Sequence, residues 1–295
     1  MPNKIVMDVD TGTDDALAII YAVGHPDLEL RGISCVAGNV PLDQAVINTC
    51  KVLDATGARD IPVAAGAAEP LIERSRRKGS SHGPDGLAGV QLPETQRRPS
   101  PLNAVELLLQ LIMESPEPVN LVTLAPKTNV ALLFKEYPDV AAQVEQLIFM
   151  GGSFSRRIAE FNVWQDPEAA AYLIESSIPT VMYGLDMFER LVVAQPAIDR
   201  FPAHDHPAVR LAGELLHRRT GHLGDCGALV LMTNPELFVS EELPVRIELE
   251  GDERGQSTLG RGAAASAWPR IRVVVDLDVA KAASAFVETI NAYAA

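Results

Sequence analysis

Runs suited to strands alternate with helix-like runs along nearly all of the 295 residues, and this alternation restricts the fold more than any other feature. KIVMDVD (4–10) reads as a strand and 14–23 as a helix with Thr13 as its N-cap. LELRGISCVAG (28–38) is a second strand, and LDQAVINTCKVLDATG (42–57) an amphipathic helix closing on Gly57. IPVAAG is a short third strand. After a loop come the helix LNAVELLLQLIMES, the strand VNLVTLA, the helix TNVALLFKEY, the strand QLIFMGG, the helix DPEAAAYLIESS and the strand IPTVMYGLD. Such a series builds an α/β fold, a mainly parallel open sheet with helices on both faces. The tail differs: LPVRIELE and RIRVVVDLD flank a Gly-rich turn region and are expected as extra strands, a hairpin or edge addition. VAKAASAFVETINAYA then reads as a closing helix. No repeat or low-complexity linker divides the chain, so 1–295 is expected to be a single domain.

Two segments fit neither pattern, 66–99 and GGSFSRRIAEF (151–161); long loops in a compact α/β fold are functional or disordered. The formal charge of −14 argues against a nucleic-acid partner, because phosphate neutralisation needs basic patches. The densest basic stretches, ERSRRK (73–78) and Arg156-Arg157, are short and read as solvated loops. No run reaches the roughly 18 uncharged apolar residues of a membrane helix, and no secretory leader pattern opens the chain, so the cytoplasm is the expected compartment. Cys35, Cys50 and Cys226, odd in number and widely spaced, suit reduced buried thiols.

One cluster raises an electrostatic problem. Asp8, Asp10, Asp14 and Asp15 crowd the handover from first strand to first helix. Ligands in open α/β sheets sit outside the carboxyl ends of strands. Asp8 and Asp10 fall on one side of an extended chain, and Asp14 and Asp15 enter the first helical turn. The helix dipole contributes about 0.3–1 kcal/mol per charge, whereas two unit charges 4 Å apart repel by about 4 kcal/mol at an effective dielectric near 20. The dipole loses that contest. Either some carboxylates turn to hydrogen-bond donors, or a cation sits among them; hard oxygen ligands favour Ca²⁺ or Mg²⁺ over zinc. The calcium-loop pattern D-x-[DN]-x-[DN]-G fails, because Gly12 occupies the fifth place and Thr13 the sixth. The stretch also looks like the signature of haloacid dehalogenase-type phosphatases, with Asp8 as nucleophile, but no downstream lysine or paired acidic motif accompanies it.

DVDTGTDDALAI (8–19) resembles the N-terminal fingerprint of the inosine-uridine-preferring nucleoside hydrolases, and the likeness continues in order along the chain. VAGN (36–39), DIPVAAGAAEPL (60–71), SHGPDG (81–86), LAPKTNVAL (124–132), LIFMGG with AEFNVWQDPEAA, and GDCGALVLMTNPELF (224–238) are similar to its further segments. The resemblance implies a calcium-dependent hydrolase of the N-glycosidic bond of ribonucleosides, forming dimers or tetramers and needing no organic cofactor. Asp10 would bind the calcium and take a proton from the attacking water. Asp15, Asp225 and the Leu124 main-chain carbonyl would complete the protein ligands. Asp14, Asn39, Glu160 and Asn162 would hold ribose hydroxyls beside the Met150 backbone. His82 looks like the base-pocket histidine of pyrimidine-preferring members.

The sequence departs from the family at one position of consequence. Many members carry a histidine immediately before the last metal aspartate; here that residue is Gly224, and His222 lies two residues earlier. Leaving-group activation is therefore expected to be altered, with His82 and His222 as the candidate acids. Gly224 also keeps open a non-catalytic nucleoside-binding protein that retains the metal cup.

Overall fold

The computed structural model of the protein describes residues 2–73 and 81–293. A nine-stranded sheet runs in the order β3-β2-β1-β4-β5-β6-β9-β7-β8. Its parallel part comprises β1 (Asn3–Val9), β2 (Leu28–Cys35), β3 (Val63–Ala65), β4 (Val119–Thr123), β5 (Val144–Met150) and β6 (Thr180–Tyr183). β1 lies in the middle, pairing Asp8 with Ser34 of β2 and with Thr123 of β4. Strands covered on both faces read as nearly continuous apolar runs, and β4 and β6 are buried at every residue. The tail strands β7 (Phe238–Ile247), β8 (Ser257–Leu259) and β9 (Arg270–Leu277) extend the sheet: β9 is parallel to β6, and β7 runs antiparallel to β9. The expected C-terminal addition is therefore present, with β8 as a short further edge strand.

Helices cover both faces. On one lie α1 (Thr13–Gly24) and α2 (Leu42–Thr56); on the other lie α3 (Ala104–Met113), α4 (Thr128–Glu136) and, after the short α5 (Phe161–Gln165), α6 (Pro167–Glu175). After the short helices α7 (Leu185–Phe188) and α8 (Gln195–Ile198), α9 (Pro207–Arg218), α10 (Cys226–Thr233) and α11 (Val279–Ala292) join the α1 face. α2 closes on Gly57 at φ +80°, and Asn103 caps α3 with its side chain accepting from the Glu106 N–H at 3.0 Å.

Three local readings change. α1 is capped at Gly12 rather than Thr13, because the Asp15 carboxylate reaches back to the Gly12 N–H at 2.8 Å. The strand expected over 178–186 ends at Tyr183, and Gly184 turns the chain into α7. The long loop 66–99 stays without regular structure in its described parts; the basic run 73–78 lies, but for Glu73, outside the described residues. Among the described residues no helix is long and apolar enough to cross a membrane.

Because β1, β2, β4 and β5 are parallel, the segments that follow them, at 10–15, 36–41, 124–127 and 151–160, emerge along one edge of the sheet.

Candidate active site

At that edge lies a cavity of about 380 Å³, within the range of small-molecule sites. Its lining combines polar residues, Asp14, Asn39, Glu160, Asn162 and Asp225, with apolar ones, Ile158, Phe161, Leu185 and Phe188. Leu124, Met150 and His82 also line it.

Each acid reaches the site by a different local device. Asp10 follows the end of β1 and is fully buried; its Oδ2 accepts from the Asn39 N–H at 2.5 Å and its Oδ1 from Asn39 Nδ2 at 3.2 Å. Asp15 is gripped by its own helix start through Gly12, and Asn39 Nδ2 lies 3.4 Å from the same oxygen. Asn39 thus joins two carboxylates lying just behind the cavity. Glu160 caps α5, accepting from Asn162 N, Val163 N and Gly152 N at 3.0–3.2 Å. Asn162 Nδ2 donates to the Leu124 carbonyl at 2.7 Å. Asp225 sits at the start of α10, and one oxygen each of Asp14, Asp15 and Asp225 lies within 4.8 Å of the others. Asp10, the further ligand expected from the sequence, is joined to this trio through Asn39 Nδ2, which bonds both Asp10 and Asp15.

Electrostatics explains why this arrangement is unusual. Burial, reinforced by the charge of Asp15, pushes the Asp10 carboxyl well above its ordinary value. Burial and Asp14 raise Asp15 to about 7, and the same two causes lift Asp225 well above the carboxylate range. Asp14 goes the other way: burial alone would raise it, but the Arg219 guanidinium, helped by hydrogen bonds to the carboxylate, outweighs that and holds it low. Buried oxygens of Asp14 and Asp15 (Oδ1 of each) have no hydrogen-bond partner, and orphaned buried acceptors call for a proton or a cation. An all-oxygen donor set of this kind fits a hard divalent ion.

Two residues expected near the chemistry lie elsewhere. Asp8 is fully buried and held by Ser34 Oγ at 2.6 Å and Asn129 Nδ2 at 2.8 Å, so it braces β1, β2 and α4 rather than facing the cavity as a nucleophile. His222 does not line the cavity; its Nδ1 lies 2.9 Å from the Arg219 carbonyl, and its backbone bridges to Val192. A displacement of two residues along a tight turn turned it aside.

Two cations escaped the sequence reading. Arg219, just beyond α9, sets Nη2 at 3.0 Å from Asp14 Oδ2 and donates from Nη1 to Thr13 Oγ1 at 2.8 Å. The Thr13 N–H and hydroxyl in turn face His82 Nδ1 at 3.2 and 2.7 Å. A backbone N–H only donates, so Nδ1 accepts and a neutral His82 ring carries its proton on Nε2. Burial draws the His82 pKa down, in keeping with that neutral form. The second cation is Lys127, completely buried below the cavity. Both residues sit in ordinary-looking contexts, HRRTG and LAPKTN, where nothing in the pattern signals a buried charge.

The chain matches known proteins along most of its length. The family model described as inosine-uridine preferring nucleoside hydrolase matches residues 5–284. The pyrimidine-specific ribonucleoside hydrolase RihA of Citrobacter koseri is 34% identical over 94% of this chain and 95% of its own, and that of an Enterobacter species is 34% identical over 94% of both. Among solved structures, a plant nucleoside hydrolase superposes with a TM-score of 0.91 at 25% identity, over 98% of this chain and 99% of that one. A purine-preferring ribonucleoside hydrolase from Gardnerella vaginalis gives 0.88 at 25% identity over 99% of both.

Proposed function

The chain belongs to the inosine-uridine preferring nucleoside hydrolase family and is a hydrolase of the ribonucleoside N-glycosidic bond, and on that footing we propose that it acts on pyrimidine ribonucleosides with calcium as its cation. The observation that carries this reading is one cavity lined by both carboxylates and apolar side chains, with buried oxygens that lack partners on Asp14 in its lining and on Asp15 beside it. Asp10, Asp15, Asp225 and the Leu124 carbonyl would hold the cation; Asp14, Asn39, Glu160 and Asn162 would grip the ribose hydroxyls beside the Met150 backbone. Calcium held there would lower the pKa of a water molecule and orient it beneath the anomeric carbon.

Asp10 would take a proton from the attacking water as the water oxygen bonds to the anomeric carbon. The C–N bond breaks and its electron pair leaves with the base. The ribosyl centre gains positive charge in passing, and the surrounding carboxylates stabilise it. Ribose hydroxyls donating to Asp and Glu carboxylates and bonding Asn side chains would make the site discriminate steeply against sugars lacking them. His82, Phe161 and Phe188 line the same cavity; His82 would supply a neutral imidazole donor to the leaving base, and Phe161 and Phe188 would pack against it. The pyrimidine preference draws support from His82 and from the names of the 34%-identical relatives.

Chromatography of uridine, cytidine and inosine digests tests this reading. Uracil and cytosine should appear with a higher kcat/KM than hypoxanthine. Faster turnover of inosine would overturn the pyrimidine assignment while leaving the hydrolase itself intact.

A further inference from the structure

Lys127 takes part in none of the steps above, yet it is 0% exposed. It follows Pro126 and stands at the N-cap of α4. Its ammonium reaches three main-chain carbonyls: Met150 at 2.7 Å, Thr123 at 3.4 Å, and Ala125 at closer range. An ammonium has three N–H groups, so this set saturates it. The Phe149 ring face lies 4.6 Å from Nζ and completes the enclosure. Converging carbonyls are how proteins cage a bare alkali cation; here the cation is tethered to the chain.

Burying such a charge costs several kcal/mol unless it is bonded and balanced. Burial lowers the Lys127 pKa to about 8, opposed by the charges of Glu160, Asp8, Asp225 and Asp10. A free charge in this place would be a liability; a fully bonded one is a fixture.

Its consequence falls on the residue between two of the acceptors. β4 ends at Thr123 and the chain bends at Ala125, so these carbonyls are set by their own hydrogen bonds rather than by a strand ladder. With the Thr123 and Ala125 carbonyls bound by Nζ on either side of it, the Leu124 carbonyl accepts instead from Asn162 Nδ2 at 2.7 Å, and both residues line the cavity. The Leu124 N–H meanwhile stays in register, donating to the Asp8 carbonyl at 2.9 Å. Through Met150 the same ammonium also fixes the end of β5.

Resting on the reading of Leu124 as a main-chain cation ligand, we propose that Lys127 is a positioning residue: by holding the Thr123, Ala125 and Met150 carbonyls it aims the Leu124 carbonyl at the divalent ion. A lysine acting only as a nearby positive charge would do the opposite and weaken cation binding by repulsion. Two variants separate these roles. Lys127→Met keeps the bulk and loses donors and charge; Lys127→Gln loses the charge but keeps two N–H donors.

Calorimetric titration of the full-length protein with calcium chloride reads the difference, after circular dichroism has shown each variant folded. Lys127→Met should bind calcium about 10–100-fold more weakly, the usual cost of losing a group that orients a ligand, and Lys127→Gln should lose less. Unchanged or tighter binding by Lys127→Met, or equal shifts in both variants, would overturn the inference. If Lys127→Met does not fold, Lys127→Gln decides alone: weaker binding supports the positioning role, and equal or tighter binding overturns it. An unmodified protein that binds no calcium would remove the cation reading itself and this inference with it; normal wild-type binding beside the wrong variant response would remove the inference only.

Discussion

A Cβ added at Gly224 would lie 2.5 Å from Asp14 Oδ2 and 2.7 Å from Arg219 Nη2, on a backbone at φ +61°. The missing histidine is therefore more than a deletion, since the space beside residue 224 is filled by Asp14 and the guanidinium paired with it. Restoring the family's residue with Gly224→His should not improve catalysis. It should lower kcat/KM on uridine and destabilise the fold by about 1–3 kcal/mol, the cost of such a φ for a residue other than glycine. Higher activity in that variant would show that the space can be cleared. Arg219→Met removes one partner of a largely buried ion pair, with side chains 13% and 2% exposed. It should cost about 3–5 kcal/mol in denaturant unfolding; a loss below about 1 kcal/mol would place the pair among ordinary surface contacts. Asp10→Asn should cut kcat about 10²–10⁴-fold, the range for a lost general base, with a smaller change in KM. At this scale the four N-terminal aspartates were legible because they crowd together in the sequence, and Glu160 and Asp225 only through the family resemblance. Arg219 and Lys127 were not, because whether a lone cation is buried depends on elements distant in the chain.

At the scale of elements, the strand–helix alternation from β1 to β6 was legible because each run carries its own period and its own stop signal. Between β6 and β7, α7 and α8 were not: they are four residues each, too short to show a period, whereas α9 carries a clear apolar face that the sequence reading passed over. α10 has its apolar residues all round, since it is buried from Cys226 to Leu231, and so shows no polar face. The loop 151–160 gained its order from an unexpected source. Asp186 of α7 accepts from the Phe154 N–H at 2.8 Å, from the Ser155 N–H at 3.1 Å, and from the Ser155 hydroxyl. The sequence reading had placed that aspartate at a strand end. Asp186→Ala should loosen the approach to Glu160 and raise KM for ribonucleosides several-fold with little change in kcat. An unaltered KM would mean that Glu160 is held sufficiently by its own cap bonds to Gly152, Asn162 and Val163.

For the whole molecule, the buried acids set an unusual dependence of stability on pH. Burial raises Asp15 to about 7 and Asp8 to about 6, from 3.8. Between those values the folded protein keeps protons that the unfolded chain has released. Stability without added cation should therefore fall as pH rises from 3.8 toward about 7. Asp14, held low by Arg219, opposes this only at the acid end. Thermal melts in chelator check the sign, and a midpoint that climbs steadily from pH 4 to 7 would contradict it. A divalent ion replaces those protons, so added calcium should stabilise most near neutrality, through its preference for the folded state. The central claim is that the clustered acids tolerate one another by sharing a cation that hydrolysis requires. It meets its most direct test in the release of p-nitrophenol from p-nitrophenyl riboside, which needs no leaving-group acid. Protein stripped by chelator and shown free of metal should be inactive and should recover on adding calcium; full turnover by the stripped protein would contradict the claim.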